Sequence, residues 1–467
     1  MAPTPASPQH PSYRSDGSTP GPGDGGRTDT IVRVLDEAFA PMMEAAPAAF
    51  RTRFRKMARD PFAFYRGSAA LFYADLTDLM AGVDDDWVDE ATSRVWIQGD
   101  LHAENFGTYL DADGRLVFDV NDFDEAYLGH WTWDLRRFTT SLALLCWQKA
   151  IPDDAIDDLV GTYVRAYVDQ VEHYTTTPDD TEWALTLANA SGPVLRSLQS
   201  AKLGSRHRFL DSRTVVEDHR RRFTERDGVR RLDDEERQQV VDAFERYQET
   251  LPGGDGRRRP TFDVLDVVGR SGFGIGSAGL PAYTVLIEGY SQALDNDILL
   301  SVKQGNVASP SRVVHDERVE GWFEDHGHRT AVSQRALQAH ADPFVGWTRL
   351  PGTGGEVRGF VVSEVSPYEA DLDWEDVNEP SEMRGLVDAL GRATAKIHCV
   401  ADTESEHDLV PVEVEDAVTT VLDGRVDALV DHLVETAHQH SARTRADHRL
   451  FVDAFRSGAW ERVAPTS

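Results

Sequence analysis

The chain has 467 residues, 40% hydrophobic and 27% charged, with 48 basic against 80 acidic side chains and a formal net charge of −32. That length holds more than one hydrophobic core, so two or three subdomains are expected, and the charge excludes nucleic-acid binding through a broad basic face. No run approaches the ~20 apolar residues of a membrane span and the N-terminus lacks the features of a secretory signal, so a cytoplasmic protein with no membrane partner is the expectation.

Residues 1 to about 28 are rich in Pro, Gly and Ser and have little apolar content, which predicts a disordered tail. From residue 31 to about 80 two helical patterns carry Phe54, Phe62, Phe64, Leu71, Phe72 and Leu76 as core. Residues 96–134 are the stretch the rest is organised around. VWIQ reads as a buried strand ending at Gly99, which puts Asp100 at a strand exit. The turn Asp111-Ala112-Asp113-Gly114 followed by RLVFDV reads as a hairpin that returns Asp122 beside Asp100.

After this stretch, residues 133–147 read as an amphipathic helix with Leu135, Phe138, Leu142 and Leu145 on one face. Residues 153–250 read as mostly helical, with a basic patch (Lys202, Arg206, His207, Arg208, Arg220, Arg221, Arg222) expected to pair with neighbouring carboxylates rather than to face an anionic ligand. Residues 251–260, rich in Pro and Gly, are the best internal boundary. Beyond them come the strands FDVLDVVGR, AYTVLIEG and DILLSVKQG, mixed segments to about 370, and helix again from Met383, with stripes at Leu386, Leu390, Ala393, Ile397 and at Val418, Val421, Leu422, Leu429, Leu433. Cys146 and Cys399 lie in apolar helical patterns and read as buried free thiols.

Two carboxylates and an amide (Asp100, Asp122, Asn105) converging at the end of a small sheet can hold a hard divalent cation and position a hydroxyl. Apolar neighbours place both acids near a core, where an unpaired carboxylate is costly; the alternative is a solvated surface set in an acid-rich chain. The glycine cluster at 269–279 contains GxGxxG at Gly274, Gly276 and Gly279. A dinucleotide-binding turn would open a helix, but the strand-like YTVLI follows, which suits a glycine flap over phosphates or a plain hairpin. Lys303 ends the next apolar strand. It is one of only five lysines, in a composition like that of salt-loving microbes, and is either a phosphate contact or an exposed strand end.

GDLHAEN resembles the catalytic loop of the aminoglycoside phosphotransferase and choline kinase group, a branch of the protein-kinase-like fold, and NDFDEAYLGHWTWD resembles that group's metal-binding segment. From about residue 54 to 401 the chain also resembles the domain of unknown function 2252 family, through FYRGSAA, GDLHAENFG, FDVNDFDEA, GIGSAG, LLSVKQG, RALQAHADPFVGW and LGRATAKIHCVAD. The resemblance implies an α+β, kinase-like two-lobe fold with a small antiparallel β lobe (257–370) over a helical lobe (29–256 and 371–467). The flap and Lys303 follow the loop by about 170 residues, an order that implies circular permutation or a differently connected lid.

Carried over, Asp100 would be the catalytic Asp, Asn105 and Asp122 would hold Mg²⁺ with Asp124 as a second acid, and Gly274, Gly276, Ser277 and Gly279 would cover the phosphates. Lys303 would contact the α/β-phosphates, and Arg66 would reach a phosphate or form a structural ion pair. The implied activity is ATP- and Mg²⁺-dependent phosphoryl transfer to a hydroxyl of an unidentified small molecule or protein. The alternatives are a nucleotide-binding pseudo-enzyme, a nucleotidyl transferase or a metal-dependent phosphatase. Gln98 stands where the group has His, and the Glu expected to pair with Lys303 is one of Glu317, Glu320 and Glu324.

Overall fold

The computed structural model describes residues 24–253, 260–270, 280–352, 355–403 and 409–463. The chain opens on helices α1 (Asp24–Ala45), α2 (Pro47–Met57), α3 (Pro61–Gly67) and α4 (Ala69–Thr77). Helix α3 starts at a sequence-encoded cap: Asp60 accepts the Ala63 N–H at 2.7 Å, and Pro61 sits in the first turn, where no donor is needed. The expected tail is corrected at its end, because α1 begins at Asp24, within residues 1–28. Arg27 is buried, with a two-pronged contact to Asp75 (2.7 and 2.6 Å) and another to Asp447 (3.0 and 2.6 Å). Low apolar content hid this anchor, which is ionic.

Next come strands β1 (Val95–Ile97), β2 (Phe106–Leu110), β3 (Leu116–Val120) and β4 (Tyr127–Gly129). β2 and β3 form the expected hairpin, Phe106 opposite Val120, and the Asp111 carboxylate accepts the N–H groups of Asp113 and Arg115 in its turn. β1 pairs antiparallel with β4 in a separate two-stranded sheet. Helices α5 (Trp131–Gln148) and α6 (Asp153–Tyr174) follow. The one-faced pattern expected for 133–147 is corrected: every residue of α5 from Trp131 to Cys146 is buried, including Asp134, Arg136 and Arg137.

The next region is less helical than expected. Between β5 (Leu185–Thr186), α7 (Gly192–Lys202), α8 (Arg206–Asp211) and α9 (Asp234–Tyr247) lie β6 (Thr214–Glu217), β7 (Arg220–Phe223) and β8 (Val229–Arg230). β6 and β7 are joined through Asp218 and His219, both at positive φ (48° and 61°), as a two-residue hairpin turn requires.

β9 (Val264–Arg270), β10 (Ala282–Ile287) and β11 (Ile298–Gln304) match the predicted strands. Helices α10 (Glu317–Trp322) and α11 (His326–Gln338), strands β12 (Gly346–Pro351), β13 (Val357–Glu364) and β14 (Ala370–Asp371), and helices α12 (Pro380–Cys399), α13 (Val414–Leu422) and α14 (Val426–Arg456) complete the chain. The larger sheet runs β12-β13-β11-β10-β9-β8 and is antiparallel throughout; β14-β2-β3-β5 form another.

One face of the larger sheet packs on α9 through Val240, Phe244, Tyr247, Val285, Leu300 and Val302. Strand alternation sends Lys303, Ser301, Thr284 and Ser363 to the other face. α6 and α12 approach closely at Gly391, where an added Cβ would lie 2.4 Å from the Tyr163 carbonyl oxygen. The fold is mixed α plus β with antiparallel sheets, and among the described residues no helix is long and apolar enough to cross a membrane.

Candidate functional site

The site is built from two loops, one after β1 and one after β3. The N–H groups of Gln98 and Gly99 donate to the buried Asp134 carboxylate at 2.6 and 2.9 Å, and the Tyr73 hydroxyl donates to the Gly99 carbonyl at 2.7 Å. Gly99 has φ +83°, and a Cβ there would sit 2.2 Å from the Glu125 carbonyl oxygen, so the close pass of the loops requires glycine. Gln98 joins the loops with its side chain: Oε1 accepts the Asp100 N–H at 2.8 Å while Nε2 donates to the Asp122 carbonyl. Asp122 itself sits at φ +59°, an uncommon conformation for a residue with a Cβ.

Asp100 meets Arg137, whose Nε lies 2.7 Å from its carboxylate. The Arg137 guanidinium is fully buried, stacks 4.0 Å over the Tyr65 ring and donates to the Tyr65 carbonyl at 2.8 Å. Burial pushes Asp100 up to about 7; Arg137 opposes the rise, and the charges of Glu125 and Asp122 add to it. Asn105 is buried, its Oδ1 accepting the His102 N–H at 2.9 Å and its carbonyl accepting the Asn121 N–H at 2.9 Å. The Asp122 carboxylate is open to cleft water yet walled by protein; this enclosure first, and then the charge of Asp124, raise it above the usual range, while Lys303 pulls it down. Arg329 of α11 fixes the second loop by donating to the carbonyls of Asp124, Asn306 and Ala126.

Asp100, Asn105, Asp122, Asp124, Lys303 and Arg66 all line one cavity of about 430 Å³. A smaller crevice beside it shares these residues except Lys303 and adds Glu125 and Gln304. Gly274, Gly276, Ser277 and Gly279 lie outside the described residues; the strand ends that flank them are ordered around Lys303, with Arg270 opposite Ala282 and Ala282 opposite Lys303. Arg66 forms the ion pair, with Glu104, and its Nε is 3.4 Å from His102 Nε2. The expected carboxylates for Lys303 are corrected: Glu324 pairs with Arg349 and Glu320 faces His315, and neither they nor Glu317 line the cavity. Lys303 favours the ionisation of Asp122 and Glu369, both in the cavity lining.

The basic patch divides as pairing predicts at Arg206 (with Glu364), His207 (with Asp211 and Asp295) and Arg221 (with Asp211). Arg137 and Gln98 were not among the expected site residues. The signal for Arg137 was its place on α5, one turn after Asp134, the acid that holds the Gly99 turn.

Three hard oxygen donors, the Asn105 amide and the Asp122 and Asp124 carboxylates, wall one space, and a divalent cation there would relieve the like charges of the two acids, so the set fits Mg²⁺. No curated protein and no solved structure matches the chain. A family described as an uncharacterized protein conserved in bacteria (DUF2252) matches residues 45–454, and the chain belongs to that family.

Proposed function

We propose that the cleft binds a nucleoside triphosphate with Mg²⁺ and transfers a phosphoryl group to a hydroxyl of a small-molecule or protein acceptor. The observation that carries this is that Lys303 and the acid-bearing loops, far apart in the chain, wall a single cavity. Asp100 orients the acceptor hydroxyl and takes its proton, a task suited to a carboxylate raised to about 7. Asn105 and Asp122, with Asp124 beside them, hold the Mg²⁺, which neutralises charge on the phosphates. Lys303 contacts the α/β-phosphates, and Arg66 orders the rim through Glu104.

The kinase-like two-lobe reading draws support from element order: two strands flanking a glycine-rich connection, the Lys strand, then α11 and two further strands. Permutation draws support from α12, which buttresses the elements beside the loops, β3 through Lys396 on Asp119 (2.6 Å) and α5 through His398 on Asp134 (3.3 Å). Nucleotide binding without transfer is the second possibility, favoured by the Arg137 contact that occupies the Asp100 carboxylate.

Calorimetric titration of ATP with and without Mg²⁺, joined to turnover of Asp100→Asn, tests the proposal. Saturable Mg²⁺-dependent binding, kept in the variant while ADP release falls by about 10²-fold or more, is the expected result. Absence of saturable nucleotide binding ends it, and binding with equal, residual turnover in both proteins leaves the binder.

A further inference from the structure

Beyond Lys303 the cleft continues into a second cavity of about 270 Å³ between the larger sheet and the β6–β7 hairpin. Its sheet wall carries the hydroxyls of Thr284, Ser301 and Ser363 and the side chain of Arg270, and its remaining lining includes Arg213 and Arg226. The three arginines come from separate places: after α8, after β7 and at the end of β9. Lys303, Ser363, Glu364 and Glu369 line both cavities, so the two spaces adjoin.

In a chain with 80 acidic and 48 basic side chains, three arginines that line one cavity without an ion pair among the described residues are notable, and the two carboxylates in the same lining, Glu364 and Glu369, lie on the wall shared with Lys303. Their neighbours follow the usual rule: Arg230 pairs with Glu236, Arg231 with Asp266 and Arg221 with Asp211. Arg213, Arg226 and Arg270 have no carboxylate partner among the described residues, and Glu364 in the shared wall is taken by Arg206.

Two of the three are held in place. The Arg213 guanidinium lies 3.8 Å over the Phe209 ring and donates to Ser212 Oγ at 2.8 Å, while Arg226 donates to the Ser212 carbonyl at 3.3 Å. Burial and then the charges of the other arginines lower Arg213, and burial with Arg226 lowers Arg270. Held like charges repel until an anion arrives, and the planar guanidinium fork matches phosphate oxygens.

We infer that Arg213, Arg226 and Arg270 form an anion subsite that takes a substrate phosphate other than the one transferred. Its place in catalysis rests on the phosphotransfer proposal; its binding of phosphate does not. The phosphate belongs either to the donor's anhydride chain or to a monoester on the acceptor.

The test is calorimetric binding of pyrophosphate to the full chain in EDTA, for wild type, Arg226→Ala, Arg270→Ala and Arg226→Lys, followed by competition with ADP. Arg226 is exposed, so its variants are expected to keep the wild-type melting temperature. The expected result is saturable binding, weakened about tenfold or more by either alanine and partly restored by lysine, which keeps the charge without the fork. ADP that displaces pyrophosphate identifies the donor's chain; ADP that binds alongside it identifies an acceptor phosphate, and both support the subsite. Pyrophosphate that fails to bind, or binds the alanine variants as well as wild type, overturns it. If Mg-ATP does not bind while arginine-dependent pyrophosphate binding persists, the phosphotransfer proposal fails and the subsite stands.

Discussion

At Gln98 a single side-chain amide spans both acid-bearing loops, accepting from the Asp100 N–H and donating to the Asp122 carbonyl. Gln98→Leu keeps the approximate volume but leaves both groups without these partners. It should destabilise the fold by about 1–3 kcal/mol in urea unfolding and weaken the Mg²⁺ binding proposed for the cleft, because Asp122 loses its brace. Gln98→Glu should not rescue it, since a carboxylate cannot donate to the Asp122 carbonyl.

A second residue reports on pH. His440 is buried, stacked on Phe72 at 5.3 Å with no hydrogen-bond partner for its Nδ1 among the described residues, and burial together with the charges of Arg136, Arg137, Arg443 and Arg27 holds it well below the usual histidine value. The folded protein keeps this ring neutral, whereas the unfolded chain protonates it below about 6.5. Stability from this site is therefore full above that pH and lost as pH falls. His440→Phe should gain on wild type by about 1.4 kcal/mol per pH unit below 6.5 until the folded ring titrates, read from parallel urea melts.

Asp100, Asn105, Asp122 and Asp124 were legible as a group because their spacing and apolar flanks are local signals. Arg137 was not, since its role depends on burial of every face of α5 from Trp131 to Cys146, which the Leu135/Phe138/Leu142/Leu145 stripe alone did not show.

Among the elements, α11 does most to hold the second loop in place. One guanidinium, Arg329, serves the carbonyls of Asp124, Asn306 and Ala126, and its helix begins at the Asp325 cap, which accepts the His328 N–H at 2.9 Å. Arg329→Met fills the space and abandons all three carbonyls. A loss on the order of 3 kcal/mol is expected, with faster amide exchange concentrated at residues 122–126; an unfolding midpoint equal to wild type would show that the loop holds itself.

The larger sheet was readable because β9, β10 and β11 are β-branched and apolar over six or seven residues. The β6–β7 hairpin was not. Its strands are four residues long, are mostly exposed and carry charge, and its turn uses Asp218 and His219 without a glycine. Arg213 and Arg226, at its two ends, were missed with it. The partners of β1 and β4 were also hidden, because three-residue strands carry too little alternation to fix which sheet they join.

Across the whole molecule, the first described helix is tied to the last long one by charge as well as by grease. Ile31 and Leu35 of α1 share a core with Phe451 and Ala454 of α14, and Arg27 bridges Asp75 of α4 and Asp447 of α14. Removing one member of such a buried set leaves the others uncompensated, so Arg27→Ala should cost about 3–5 kcal/mol.

The cost should depend on pH in a definite direction. Burial and the nearby Asp447 charge already raise Asp75, and Arg27 is the main group opposing them. Without Arg27 the folded state binds a proton here more readily than the unfolded chain, so the variant loses stability as pH rises above the ordinary carboxylate range. Salt separates this site from the surface. A net charge of −32 strains the compact state, and added salt should stabilise wild type and variant together by screening exposed acids. The buried triad is screened far less, so the gap between the two proteins should persist in molar salt and narrow at pH 5. A gap that closes with salt would place Arg27 among the surface ion pairs instead.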